Sequence, residues 1–259
     1  MIAQGAGAAG AAPTVGIVVI GNEILTGKVA DTNSPFLCKE LNFLGLDLCR
    51  ITTIPDDFDL IGRVVRENSE AFTWVFTSGG IGPTHDDMTV AAIAAGFGVD
   101  AVRHPVLEVA LRQHYRERLT EDHLLMALVP QGAELIEVES LFVPQVVFRY
   151  IFILPGVPQL FQAKFNAIKH RFRGTPVVLR EIFMKADEGV IAASLRETQA
   201  RHPGLLIGSY PNFLRSEYSV KVTLESRDGA VVAEAQRWWL RPASSRLAAW
   251  PASVHSPGT

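Results

Sequence analysis

Apolar runs alternate with amphipathic segments over the first two thirds of the chain. The run at 15–20 is β-branched and almost free of polar residues, which is typical of a strand buried on both faces of a parallel sheet. Similar runs predict three more strands, at 46–54, 73–77 and 147–154. Helical spacing and end signals predict helices at 34–45, from 56 onward, and at 87–96, 105–118, 121–128 and 158–172. This alternation predicts a doubly wound, mostly parallel α/β sheet with helices on both faces.

The pattern changes after Gly174. The next five predicted elements are a strand, a helix, two strands and a helix, at 177–184, 187–200, 205–210, 218–224 and 230–240. This order predicts a small α+β domain of βαββα type. Both ends of the chain are rich in small residues and prolines. We therefore expect a flexible tail (1–13), an α/β domain (14–174), the α+β domain (175–241) and a disordered tail (242–259).

Composition narrows the range of partners. Among 259 residues, 24 Lys and Arg are set against 27 Asp and Glu, which gives a net charge of −3. A protein without a basic excess is not expected to bind nucleic acid or a membrane surface broadly. Cys38 and Cys49 form neither a CxxC pair nor a zinc ladder, so we expect buried free thiols and a cytoplasmic location. We also expect a homo-oligomer.

Three unusual loops directly follow predicted strands: the turn at Gly21, the segment 78–87 and the turn at Pro155 and Gly156. Ligands of open α/β sheets bind outside the carboxyl ends of the strands, so the three loops are expected to line one crevice. In the second loop, three glycines in four positions allow the backbone to approach a ligand closely. The predicted phosphate-binding residues of this loop are Ser78, Gly79, Gly80, Gly82 and Thr84.

Asp86 and Asp87 leave two interpretations open. Two carboxylates beside a phosphate repel it, and the segment contains no Lys or Arg. Either the acids only cap the next helix, or a divalent cation lies between them and the phosphate. Oxygen ligands suit Mg²⁺ or Mn²⁺, and His85 extends the choice to Co²⁺.

The first βα connection supplies further polar candidates. Glu23 and Asp31 are candidate metal ligands, Asn33 is a candidate ligand-binding residue, and Lys28 is a modest candidate for a phosphate contact. Each of them could instead be solvated or could shape a helix start; Asp57 is expected to be a cap. The stiff turn at Pro155 and Gly156 is as consistent with a structural role as with ligand lining.

These motifs in this order resemble a known family. The segments VVIGNEILTG (18–27), DTN (31–33), GGIGPTHDD (79–87) and PGVP (155–158) are similar to the molybdopterin-binding, MoaB/MogA-like domain. The most similar variants are those of the CinA family and of the N-terminal part of eukaryotic-type FAD synthase. The resemblance covers about 15–240, and in its last part ADE (186–188) and GSYP (208–211) look most similar to the FAD synthase version. It implies a doubly wound fold with a small KH-like appendage.

The resemblance also implies chemistry. In these two branches the domain is associated with metal-dependent pyrophosphatase activity on FAD or ADP-ribose, helped by K⁺ and Co²⁺ or Mg²⁺. We therefore expect a metal-dependent nucleotide pyrophosphatase with Asp86 and Asp87 as catalytic residues. The metal ligands would be Asp86 and Asp87 with Glu23 and Asp31, and the nucleotide or pterin would contact Asn33, Pro155 and Gly156 besides the glycine-rich loop.

Other members of the family bind molybdopterin, adenylylate it or insert molybdate, and this remains an alternative. Ile81 stands where those enzymes typically carry Thr, which weakens the pterin interpretation. A non-catalytic regulatory module is a third possibility. The C-terminal amidohydrolase of CinA proteins and the synthase domain of FAD synthase are not expected in this sequence, and neither is a GxxG loop for RNA, since Gly204 and Gly208 are four apart.

Overall fold

The computed structural model describes residues 12–138, 141–213, 217–240 and 253–255. The chain forms two compact units, Met1–Thr175 and Pro176–Thr259. Most of the two tails that the sequence predicts to be flexible lies outside the described residues. Within the described ranges, none of the helices has both the length and the apolar character needed to cross a membrane.

The first unit is built on a six-stranded sheet and a separate two-stranded sheet. Its strands are β1 (Thr14–Ile20), β2 (Asp47–Ile54), β3 (Trp74–Ser78), β4 (Ala101–Arg103), β5 (Leu128–Pro130), β6 (Glu134–Ile136), β7 (Gln145–Phe148) and β8 (Ile151–Leu154). The large sheet has the order β2-β1-β3-β8-β7-β6, in which the first four strands are parallel and β7 and β6 are each antiparallel to the preceding strand. Strands β4 and β5 pair antiparallel on their own.

Helices cover both faces of this sheet. They are α1 (Asn22–Leu25), α2 (Asn33–Phe43), α3 (Phe58–Ala71), α4 (Thr89–Gly96), α5 (Pro105–Tyr115), α6 (Glu121–Leu125) and α7 (Pro158–Ile168), with single 3₁₀ turns at Arg116–Arg118 and Lys169–Arg171. Alternate residues of β1 belong to different cores. Val15, Ile17 and Val19 pack with α2 and α7, whereas Val18 and Ile20 pack with α3 and α4. The doubly wound prediction is thereby confirmed, because successive side chains of a strand point to opposite faces.

One predicted strand is wrong in its topology. The apolar run at 147–154 is a hairpin of β7 and β8 that turns at Arg149 and Tyr150, which have φ values of 46° and 65°. These residues carry none of the Gly or Asn signals that normally mark a two-residue turn, so the sequence looks continuous. The three-residue strands β4, β5 and β6 also escaped prediction, and α4 begins at Thr89 rather than 87.

Helices α3 and α4 cross at a pair of glycines. A Cβ built on Gly62 would lie 2.5 Å from the carbonyl oxygen of Ala92, and one on Gly96 would lie 2.5 Å from the carbonyl oxygen of Gly62. The two helix backbones therefore approach more closely than any larger residue permits. This crossing fixes α4, the helix that follows the glycine-rich loop.

The second unit has the predicted βαββα order. Its elements are β9 (Val178–Met184), α8 (Glu188–Arg201), β10 (Leu206–Pro211), β11 (Val220–Ser226) and α9 (Gly229–Leu240), with β12 (Ser253–His255) as an addition. The antiparallel sheet has the order β10-β11-β9-β12, so part of the tail predicted to be disordered is paired with β9. Trp239 is buried and donates to the Thr198 hydroxyl (2.9 Å), as expected of a core residue.

Two sequence motifs of the second unit have structural contacts. Asp187 caps α8 by accepting from the Val190 amide (3.1 Å), and Ser209 donates to Glu188 (2.6 Å). The cysteines are both free, and Cys38 is half-buried. Cys49 is exposed, so the prediction of two buried thiols is wrong for Cys49.

Candidate functional site

The loops after β1, β3 and β8 meet at the carboxyl end of the large sheet. Gly79 continues β3, and its amide donates to the carbonyl oxygen of Leu154 at the end of β8 (3.2 Å). Gly79 has a φ of 107°, and a Cβ there would overlap the carbonyl oxygen of Ile20 at the end of β1. A Cβ on Gly156 would lie 3.3 Å from Gly79 Cα. The backbones of the three loops are thus packed together.

Asn33 joins these loops through its side chain. It is 5% exposed, and its Nδ2 donates to the Ser78 Oγ (2.9 Å) and to the Gly156 carbonyl oxygen (2.8 Å). Because the amide nitrogen must face a carbonyl, the orientation of this side chain is fixed. Its Oδ1 is buried and has no partner among the described residues. The sequence predicted Asn33 as a ligand contact, and the structure shows that both of its N–H groups hold the loops.

The glycine-rich turn exposes a different set of amides from the predicted one. The Gly79 amide belongs to the sheet, so it is not available to a phosphate as predicted. Gly80 has a φ of 66°, and its carbonyl oxygen accepts from the Thr89 amide (3.0 Å). Among the described residues, the amides of Gly80, Ile81 and Gly82 have no hydrogen-bond partner. The side chain of Ile81 packs against the core formed with α3 and α4, which anchors the turn.

Thr84, Asp86 and Asp87 form a compact polar cluster beside these amides. The Thr84 Oγ1 lies 2.6 Å from Asp86 Oδ1 and 2.5 Å from Asp87 Oδ2, and the Thr84 amide donates to Asp87 Oδ2 (2.8 Å). A hydroxyl has one proton, so it can serve one carboxylate at a time. A Cβ on Gly82 would lie 2.6 Å from Asp87 Oδ2, so this carboxylate lies directly against the turn.

The electrostatics of the cluster favour the charged form of Asp86. The hydrogen bond from Thr84 lowers the pKa of Asp86 below its ordinary value, with smaller effects from the backbone and from His85. The His85 side chain is 97% exposed, and its Nδ1 lies 4.0 Å from Asp86 Oδ1. Asp86 is therefore an anion throughout the neutral pH range.

The other predicted metal ligands lie in different settings. Asp31 Oδ1 accepts from the amides of Asn33 and Ser34 (3.0 Å each), so the Asp31 side chain caps the first turn of α2. Ser34 fits the sequence pattern of an N-cap, but it lies inside the helix, which begins at Asn33. The Glu23 carboxylate folds over Gly21 and is exposed. In the part of the chain that the structure describes, no three His, Cys, Asp or Glu side chains form a group that could hold a metal ion. The four predicted ligands thus do not form one preformed site.

Further polar residues lie at this edge of the sheet. Asp56, after β2, accepts a hydrogen bond from the Asn22 amide (2.8 Å) and so joins the loops that follow β1 and β2. Asp57 accepts from the Leu60 amide (2.8 Å), which confirms the prediction that Asp57 caps α3. Ser34 and Thr77 have buried hydroxyls without a partner in the described ranges. Pro155 is buried and Lys28 is exposed. Thr77 was not identified from the sequence, because it lies inside β3 and no sequence signal marks its hydroxyl.

Two models of known protein families match this chain and show which family it belongs to. The model described as probable molybdopterin binding domain matches residues 16–193, and the model described as FAD synthase, middle domain, matches residues 176–244. The chain belongs to the molybdopterin-binding domain family. As the sequence motifs indicated, its second unit is similar to FAD synthase.

Individual relatives agree with this. A protein of Pyrobaculum calidifontis is 29% identical over 242 residues, which span 85% of this chain and 92% of that protein. A probable FAD synthase of Caenorhabditis elegans is 31% identical over 245 residues; the match spans 82% of this chain but 46% of the synthase. Among solved structures, CinA of Thermoplasma acidophilum, a protein of unknown function, has a TM-score of 0.57 and 32% identity, covering 62% of this chain and 98% of its own.

Proposed function

We propose that this domain hydrolyses the diphosphate linkage of a nucleotide such as FAD or ADP-ribose with the help of a divalent cation. One observation carries the proposal: three unpaired amides in a glycine-rich turn lie beside two carboxylates held together by Thr84. The kinship with FAD synthase and CinA supports the choice of a nucleotide substrate.

The glycine-rich turn provides the amides that would bind the phosphate. The amides of Gly80, Ile81 and Gly82 can donate to the oxygens of one phosphate, since none of them is used by the described part of the chain. Successive amides in such a turn form an anion-binding concavity. Residues larger than glycine at 79 and 80 would collide with the Ile20 carbonyl and the Thr89 hydroxyl, so the sequence keeps this backbone open.

The two carboxylates of the cluster provide ligands for the divalent cation. Mg²⁺ keeps several water ligands and is usually held by one or two carboxylates together with substrate phosphates. Asp86 and Asp87 fit this pattern, and the lack of a three-ligand group among the described residues is compatible with it. We therefore expect cation and nucleotide to bind together, each strengthening the binding of the other. When bound, the cation would neutralise phosphate charge and lower the pKa of a water ligand.

In the reaction, the oxygen of a water molecule joins one phosphorus and the bridging P–O bond breaks. Two phosphate monoesters leave, and the two protons of the water pass to product oxygens or to solvent. Because the Thr84 hydrogen bond lowers the pKa of Asp86, this residue suits charge binding better than proton transfer. Asn33 keeps Ser78 and Gly156 in place while the phosphate is bound.

The test is release of AMP from FAD and from ADP-ribose with Mg²⁺, Mn²⁺ or Co²⁺. Asp86→Asn and Asp87→Asn should each lower kcat/KM at least about 100-fold, as expected for loss of a charged ligand. Asp122→Asn, at an exposed position in α6, is the matched control and should change nothing. Well-folded protein that releases AMP from neither substrate with any of these ions contradicts the proposal.

A molybdopterin-binding or adenylyl-transferring role is the second candidate, because the family model that matches 16–193 is described as a probable molybdopterin binding domain. Calorimetry with molybdopterin and with FAD separates the two. Tighter pterin binding, together with no AMP release, would favour the second candidate. If the protein releases AMP from neither substrate and Asp86→Ala changes only local stability, the domain is a non-catalytic module.

A further inference from the structure

A second cavity lies at the other end of strand β8. The crevice described above follows the last residue of β8, whereas this cavity borders the turn that precedes its first residue. Its volume is about 510 Å³, within the size range of small-molecule sites. It is lined by Arg66, Glu70, Ala95, Gly96, Phe97, Gly98 and Arg149.

Arg149 is the main feature of this cavity. Its guanidinium carbon lies 5.2 Å from the ring centroids of both Phe97 and Phe148, and these two rings meet edge to face. Among the described residues the Arg149 guanidinium has neither a hydrogen-bond acceptor nor a carboxylate partner. A guanidinium resting on aromatic faces keeps its N–H edge available to an anion.

The backbone that carries Arg149 is strained. Arg149 and Tyr150 both have positive φ (46° and 65°) in a two-residue hairpin turn, where Asn and Gly are favoured. A left-handed conformation is unfavourable for a residue with a side chain, because its Cβ crowds the following carbonyl oxygen. Such strain is concentrated at functional positions, and here it places Arg149 on the wall of the cavity.

Arg66 supplies a second positive charge. Its Nη1 donates to the Gly96 carbonyl oxygen (3.2 Å), and its Nε lies 3.9 Å from Glu70 Oε1. The Glu70 side chain is 71% exposed, and exposed ion pairs of this kind are weak. The cavity is therefore lined by two guanidinium groups against one loosely held carboxylate. A Cβ built on Gly98 would meet nothing within 4 Å, so the space beside this residue is open.

We propose that this cavity is an anion site that binds the phosphate group of a small ligand, separate from the crevice at the opposite end of β8. Guanidinium forks match phosphate oxygens bidentately, and two of them border a concave space here. Small-molecule binding at this cavity is independent of whether the crevice hydrolyses nucleotides.

The experiment is an NMR titration of the full chain with inorganic phosphate at constant ionic strength, with sodium chloride as the baseline. The amides of Phe97 and Gly98 should shift in a saturable way, separately from any shift at Gly80 and Gly82. Arg149→Asn should weaken the effect at Phe97 and Gly98 about tenfold or more, as for loss of a charged hydrogen bond. Asn tolerates positive φ, so the turn is retained.

Arg66→Gln should also weaken binding, and Glu70→Gln should strengthen it by about two- to fivefold because a repulsive charge is removed. Arg63→Gln is the control, since Arg63 is exposed on the same helix but does not line the cavity. The proposal is overturned if chloride produces the same shifts as phosphate. It is equally overturned if Arg149→Asn binds phosphate as well as Arg63→Gln does.

Discussion

At the scale of single residues, the buried amide of Asn33 has the widest influence on the candidate site. It joins the start of α2 to Ser78, at the end of β3, and to Gly156, after β8. From the sequence, a polar residue after a strand predicts proximity to the crevice, but not which partner it takes. The same holds for Asp31, whose capping role depends on a local turn geometry that the residue type alone does not reveal.

Replacing Asn33 should loosen the site. Asn33→Ala removes two buried hydrogen bonds, and we expect the free energy of unfolding to fall by about 1–3 kcal/mol. Asn33→Asp should be worse, because a carboxylate oxygen would face the Gly156 carbonyl. Urea unfolding measures both changes, and equal stability of Asn33→Asp and wild type would contradict the assigned contacts. Asn42→Ala, at an exposed position of α2, is the control.

Thr84 sets the charge of its neighbour. Removing the hydroxyl in Thr84→Val should raise the pKa of Asp86 towards its ordinary value, because the hydrogen bond from Thr84 is the main cause of the depression. The acid limb of any Asp86-dependent activity should then move to higher pH. An NMR pH titration of the Asp86 carboxyl carbon measures the pKa. Thr84→Ser retains the hydroxyl and should behave like wild type; an unchanged pKa in Thr84→Val would refute the assignment.

At the scale of elements, predictability follows the strength of the local signal. Long, continuous segments such as β1 and α3 have many apolar positions in phase, so their type follows from the pattern. The β7–β8 hairpin was missed because its turn has no favourable residue, and three-residue strands contain too few positions to show a period. The close approach of α3 and α4 could not be predicted, since it depends on two glycines distant in sequence.

The helix crossing gives an element-scale prediction. Gly62→Ala would place a methyl group 2.5 Å from the Ala92 carbonyl oxygen, so the helices must separate. We expect a loss of about 1–3 kcal/mol in unfolding free energy, despite the better helix propensity of alanine. Urea unfolding provides the measurement. The control is Glu67→Ala, at an exposed position of the same helix, whose unfolding free energy should stay within about 0.5 kcal/mol of wild type. A Gly62→Ala variant as stable as this control would show that the crossing tolerates a methyl group.

At the scale of the whole molecule, the two units have separate apolar cores. The first unit has one core on each face of its large sheet, and the second packs α8 and α9 on its antiparallel sheet. The change of pattern near Gly174 indicated this division, because alternating strands and helices give way to adjacent strands. A doubly wound fold was likewise predictable from the order of elements. The pairing of β12 with β9 was not, since Pro- and Ser-rich segments give little strand signal.

Lys164 links the stability of the fold to pH. It is 7% exposed on α7, where its Nζ donates to the carbonyl oxygen of Pro144 (2.8 Å), and burial lowers its pKa from 10.5 to about 8. Between these values the unfolded chain binds more protons than the folded one, so unfolding free energy should rise with pH. The gain is on the order of 3 kcal/mol, and below pH 8 the destabilisation is fully present.

Urea unfolding at pH 7.5 and pH 10 tests this. Wild type and Lys39→Met, a change at an exposed position of α2, should both gain stability at the higher pH. Lys164→Met should lack this gain, because it has no amine to deprotonate. An identical pH dependence for all three proteins would show that Lys164 keeps its charge in the folded state.

The bridge made by Asn33 has a consequence for the divergence of this domain. A relative that lacked the hydroxyl at position 78, or had a different turn at position 156, would leave the buried amide at position 33 without a hydrogen-bond acceptor. Such a relative should therefore carry a compensating replacement at position 33. Homologous sequences should therefore show these three positions varying in concert, while neighbours on the solvent side drift independently.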